Sequence, residues 1–178
     1  MYASWLLTKE GYADLTDTYD TTVTRKARVA NAIEFLNALN KFGKATIIFD
    51  CWPQRYPLTP EELYGAFSNT KRDLTYPSGT GYLQAFPLIE ISGFHSDTET
   101  VITIKNLVIT FTAAAAYNAV MIDCETQSIY DKATLGAPPP YTMTGAWEKL
   151  GDGDTVSAQI TVGGGLKTIR VYTRRFKL

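Results

Sequence analysis

The chain has 178 residues, 45% hydrophobic and 20% charged, with a net charge of −1. That length supports one ordinary domain or one and a half small ones with a real core, and the balance excludes a disordered segment. No run approaches the ~18 uncharged apolar residues of a membrane helix. The start, MYASWLLTKEGYADL, lacks a signal peptide's basic region, apolar stretch and cleavage site, so a soluble, cytoplasmically made product is expected.

Tyr2 to Leu7 reads as the tail of an amphipathic helix, since no capping residue precedes Trp5 and Leu6. Thr24 to Gly43 is ambiguous. Val29, Ile33, Leu36 and Leu39 have helical spacing and alanines surround them, so local preference favours a helix. Thr46 to Cys51 is an expected strand, ended by Pro53 and Pro57. From Pro57 to Tyr82 the punctuation changes to Pro, Gly, Ser, Asn and Asp, which marks loops or short entry strands and places a domain boundary near Pro57. Residues 1–56 then form one segment and 57–178 a second domain.

Beyond Tyr82 the alternation can be tested by phase. In ETVITIKNLVITFT the apolar positions Ile102 and Ile104 restart at Leu107, Ile109 and Phe111. A turn at Lys105 and Asn106 explains the slip, pairing Ile104 with Leu107 and Ile102 with Ile109, with Asn106 tolerating the left-handed conformation. A turn at Glu125 and Thr126 likewise pairs Ile122 with Ile129 and Met121 with Tyr130. Val156, Ala158, Ile160 and Val162 can face Ile169 and Val171 if the Gly163–Gly165 connection spans four residues or carries a bulge. The expected fold is mainly β: an antiparallel sandwich with at most one or two short helices.

Residues able to carry chemistry are sparse. His95 is the only histidine and sits in a polar turn, GFHSDTET, without a partner for a triad. Neither GxSxG, HExxH nor a phosphate-binding glycine loop occurs. Three close carboxylate pairs, Asp123 with Glu125, Glu61 with Glu62, and Asp152 with Asp154, could suit glycoside chemistry, but each reads more simply as a solvated turn. The GDGD stretch lacks the rest of a calcium loop. Cys51 and Cys124 lie in apolar segments and are expected as buried free thiols. Lys167, Arg170, Arg174, Arg175 and Lys177 form the one basic block, expected as a charged strand edge and not as a nucleic-acid surface. The 11 Tyr, 8 Phe and 3 Trp suit a core, subunit contacts or a sugar platform. No catalytic, cofactor-binding or metal residue is assigned.

The segments FPLIEISG, AVMIDCETQSIY, GDTVSAQITV and RVYTRRFKL, in this order, resemble the C-terminal half of siphophage distal tail proteins. ASWLL, GYADLTDTYDTT, RKARV and GKATIIFDCWPQRY resemble the last part of that family's N-terminal belt domain. The resemblance covers nearly the whole chain, through strand and turn patterns and not through a chemical signature. It implies a strand for Arg25 to Ala32 running back beside GKATIIFDC, which leaves Glu34 to Asn40 as a helical turn and 33–40 open to either reading. It further implies a galectin-like sandwich after the end of a belt domain, with Met1 inside that domain. The implied role is a non-enzymatic hexameric ring, a baseplate hub at the virion tail tip of a phage or prophage, joining the tail tube to tail-tip or receptor-binding proteins without contacting nucleic acid or membrane. The closing TRRF departs from the family's proline and aromatic pair. A galectin's sugar site needs a His, Arg, Asn and Trp cluster that cannot be assembled around His95, although a carbohydrate-binding module remains the alternative.

Overall fold

A computed structural model describes residues 11–30, 47–59, 61–94, 98–113 and 117–178. The described residues are all β, without a helix, in three antiparallel sheets. The chain divides into two compact units, one running to Thr59 and rejoined by Phe176–Leu178, the other spanning Pro60–Arg175.

The first unit is a three-stranded sheet in the order β1 (Ala13–Leu15), β2 (Val23–Val29), β3 (Phe49–Pro57). The strand expected for Arg25 to Ala32 is present as β2, which starts two residues earlier, at Val23, and ends at Val29, and it pairs Val29 with Phe49 and Arg28 with Asp50. Thr24 to Val29 therefore follows its partner across the sheet, while Ile33, Leu36 and Leu39, which carried the helical spacing, lie outside the described residues. The expectations for Tyr2 to Leu7 and for Glu34 to Asn40 lie outside the described residues.

Pro53 does not end β3. The strand continues to Pro57, and Arg25 pairs with Arg55 while Ala27 pairs with Cys51, so the register shifts and Pro53 sits in the irregular stretch. A residue without an N–H is tolerated there because a bulge asks for no ladder bond. On the other side of β3, Arg55 exchanges backbone hydrogen bonds of 2.7 and 2.8 Å with Lys177.

The second unit is a sandwich of two five-stranded sheets. One runs β10 (Ser128–Asp131), β9 (Tyr117–Asp123), β6 (Leu88–Phe94), β13 (Lys167–Tyr172), β4 (Glu62–Phe67). The other runs β11 (Tyr141–Thr144), β8 (Leu107–Ala113), β7 (Thr98–Ile104), β12 (Thr155–Val162), β5 (Arg72–Thr75). The two-residue period decides which side chains meet: Ile89, Ile91, Val120, Ile122, Ile169 and Val171 from one sheet face Ile102, Ile104, Ile109, Phe111, Val156 and Ile160 from the other. Each isoleucine fully removed from water contributes ~2 kcal/mol relative to exposure, so this interior supplies most of the drive to fold.

Both phase-derived hairpins are present. β7 and β8 pair Ile104 with Leu107 and Ile102 with Ile109, and β9 and β10 pair Ile122 with Ile129 and Met121 with Tyr130. In the first turn, however, the left-handed residue is Lys105, at φ 53°, and not Asn106. β12 and β13 do not form a hairpin. β12 lies between β7 and β5, β13 between β6 and β4, so the 163–165 connection passes from one sheet to the other. Their apolar residues face one another across the sandwich instead of along a ladder, while Val162 is exposed.

Candidate functional site

The basic block is not an edge. β13 is an interior strand of its sheet, and Lys167, in phase with Ile169 and Val171, points inward and is fully buried. Its Nζ donates to Thr98 Oγ1 at 3.0 Å and lies 5.1 Å from the Phe94 ring centroid. Burial lowers its pKa. Arg170, on the opposite face, pairs with Glu62 at 2.9 Å and covers the Tyr64 ring.

Arg175 is also buried, at 1% exposure, and organises a polar cluster at one end of β13. Its Nε donates to Glu61 Oε2 at 2.9 Å, its Nη2 to Glu61 Oε1 at 2.7 Å, and its Nη1 to Asp152 Oδ1 at 2.5 Å. The guanidinium carbon stands 5.1 Å from the Tyr76 ring centroid and 5.4 Å from that of Tyr82. Thr173 donates to Glu61 Oε2 at 2.8 Å, and the Thr80 hydroxyl and backbone N–H both donate to Asp152, at 2.8 and 3.0 Å. The cluster thus ties the start of β4, the loop after Tyr76, the turn before β12 and the end of β13 to one planar cation, the geometry that guanidinium groups suit. Burial raises the Tyr76 phenol pKa.

The three carboxylate pairs are therefore bound more tightly than solvated turns. Glu61 and Asp152 converge on Arg175 from different elements, and Glu62 holds Arg170. Asp154 accepts from Gly151 N–H at 2.7 Å and pairs with Lys105 at 2.9 Å. Arg174, at φ 54°, donates to Asp123 at 2.8 Å and to Glu125 at 3.2 Å. Burial opposes ionisation of Asp123, but the bonds from Arg174 outweigh it and hold the carboxyl below its ordinary range. Asp152 is held low chiefly by the Thr80 hydroxyl. A general acid needs the opposite shift. Among the described residues no three His, Cys, Asp or Glu side chains gather as a metal site. His95 lies outside the described residues.

Cys124 is buried, and burial pushes its thiol up to about 12. Cys51, paired with Ala27 next to the register shift of β3, is exposed, contrary to expectation. Both are free.

Besides the exposed Tyr19 and Tyr64, two groups of exposed side chains include aromatics. On the three-stranded sheet, Tyr12, Arg28 and Asp50 form a row: Tyr12 donates to Asp50 at 2.7 Å, Arg28 Nε donates to the same oxygen at 2.9 Å, and the guanidinium lies 5.1 Å from the Tyr12 ring centroid. The exposed Trp52 stands 5.3 Å from Tyr12 between ring centroids. On the sandwich, Tyr141 and Met143 of β11 are 43% and 41% exposed. Sequence reasoning named the richness in aromatics but assigned neither group; the alternation of Tyr141 and Met143 between threonines was the available signal for the second. No protein-family model, curated protein or solved structure matches the chain.

Proposed function

We propose that this chain is a structural protein of a phage or prophage tail tip, a distal tail component whose galectin-like sandwich follows the end of a belt domain. The observation that carries the reading is the pairing of the RKARV strand with the IFDC strand in a small sheet, followed along the chain by a separate two-sheet sandwich. That is the order of elements the family resemblance implies. The saturation of the acidic pairs by Arg174, Arg175, Arg170 and Lys105 fits a protein whose charges fix its shape.

In this reading six copies close a ring between tail tube and tail tip, and tail-tube, tail-tip and receptor-binding proteins dock on it at the virion tip after synthesis in the host cytoplasm. Electron microscopy of the purified chain mixed with tail-tube protein tests it. Rings of six subunits capping the tube are the expected result, and a chain that never associates with tube or tip proteins would refute it.

A second reading, a carbohydrate-binding module, is favoured by the Tyr12, Trp52, Arg28 and Asp50 group, which sets exposed rings beside a hydrogen-bonding ion pair. Reproducible binding on a glycan array, lost in Trp52→Ala, would favour it over the first.

A further inference from the structure

The edge strand β11 is unlike the other edges of the sandwich. β4 carries Glu62, and β5 carries Arg72 and Asp73 next to the Lys71 ion pair. β10 ends in Asp131, whose N–H donates at 3.1 Å to Gly136 in the turn that follows. Such charges and turns protect edges against pairing. β11 reads Tyr141-Thr142-Met143-Thr144, with no charge and no proline, and all four residues are exposed.

The ladder fixes which backbone groups point outward. Thr112 N–H donates to Pro140 O at 2.8 Å and Thr142 pairs with Thr110, so the hydrogen-bonded pairs with β8 are those of Pro140, Thr142 and Thr144. The N–H and C=O groups of Tyr141 and Met143 face away from β8 and have no partner among the described residues. The same two side chains point to the core side, because they lie opposite the buried Phe111 and Ile109. Free backbone groups and uncovered apolar side chains thus belong to the same residues.

We propose that β11 is a pairing edge for β11 of a second copy, antiparallel, with the two-fold axis at Thr142. In that register Tyr141 of one copy exchanges both backbone hydrogen bonds with Met143 of the other, and the reverse, so every outward group on these residues is used. The Tyr141 ring meets the partner copy's Met143 thioether on the core-facing side, a favourable sulfur–aromatic contact, and no like charges oppose. Pro140 falls opposite Thr144 at a pair that needs no N–H, and Pro139 stops the ladder one step further. The pairing is short, hence weak and reversible on its own. It joins two five-stranded sheets into one continuous sheet, and it stands whether or not the chain is a tail component.

Cysteine cross-linking of the full chain tests the register. Two residues flanking the axis at a non-hydrogen-bonded pair have Cα atoms about 4.5 Å apart, inside the disulfide range of about 4.4 to 6.8 Å. In a Cys51→Ser background, Thr142→Cys is expected to form disulfide dimers at least about tenfold faster than Thr144→Cys, because pairing holds the thiols together. Adding Met143→Lys, at an exposed position, removes that advantage. Sedimentation velocity of the unmodified chain is expected to show a concentration-dependent dimer that Met143→Lys abolishes. Equal cross-linking rates at 142 and 144, or a chain that is monomeric at every concentration, would overturn the proposal and leave the edge to a strand of different sequence.

Discussion

Arg175 grips both carboxylate oxygens of Glu61, with Nη2 2.7 Å from Oε1 and Nε 2.9 Å from Oε2, across 114 residues of sequence. Replacing Arg175 by Met leaves Glu61 and Asp152 without their cation in a partly buried setting. The expected loss is about 3 kcal/mol of unfolding free energy in urea titrations. Arg175→Lys keeps the charge but not the fork and is expected to recover less than half of that loss. A Met variant as stable as the parent would mean that the cluster contributes nothing net.

Lys167 is buried with a hydroxyl and a ring as its neighbours, and burial depresses its pKa. Because the folded pKa lies below the unfolded one, the unfolded chain binds more protons between the two values, so stability rises with pH through that window. The penalty is complete below the folded pKa and fades towards the ordinary lysine value. Lys167→Met is therefore expected to stabilise at neutral pH, and the gap to the parent should narrow as pH approaches about 10. Unfolding midpoints measured at both pH values check the sign.

Gly145 follows β11 at φ 96°, and a Cβ there would stand 2.1 Å from the Asn106 carbonyl oxygen. That clash is with backbone of the β7–β8 turn, which cannot swing away. Gly145→Ala is expected to destabilise by about 3 kcal/mol or more. Gly164→Ala meets nothing within 4 Å and should be near neutral, so thermal melts of the pair separate a required glycine from a permissive one.

The two thiols should differ sharply. Cys51 is exposed, whereas burial holds Cys124 protonated with a pKa of about 12. Titration of the native chain with an aromatic disulfide reagent is expected to count one thiol, and a second after denaturation. Cys51→Ser should be unreactive while folded.

Hairpins were legible because their evidence is local: the phase slip at Lys105 and Asn106 fixes the β7–β8 register, and burial of Ile102, Ile104, Leu107 and Ile109 enforces it. β12 and β13 misled because alternation says which side chains face inward, not which ladder they join. Glycine connections permit a hairpin and a crossing equally. The inward direction of Lys167 was readable from its phase with Ile169 and Val171, but a lysine in an apolar row invites the assumption of a solvated strand. The convergence of Glu61 and Asp152 on Arg175 was not readable, since it depends on where separate elements end. Pro53 within β3 was missed because a proline stops a regular ladder but not one whose register already shifts.

The crossing at 163–165 also sets the order in which the molecule can be completed. β12 and β13 each occupy an interior place, one in either sheet, so until residues 155–172 have left the ribosome both sheets lack a strand between existing neighbours. A nascent chain held before that point exposes two unfilled gaps lined with isoleucine and valine. Its sandwich can close only after translation of those strands.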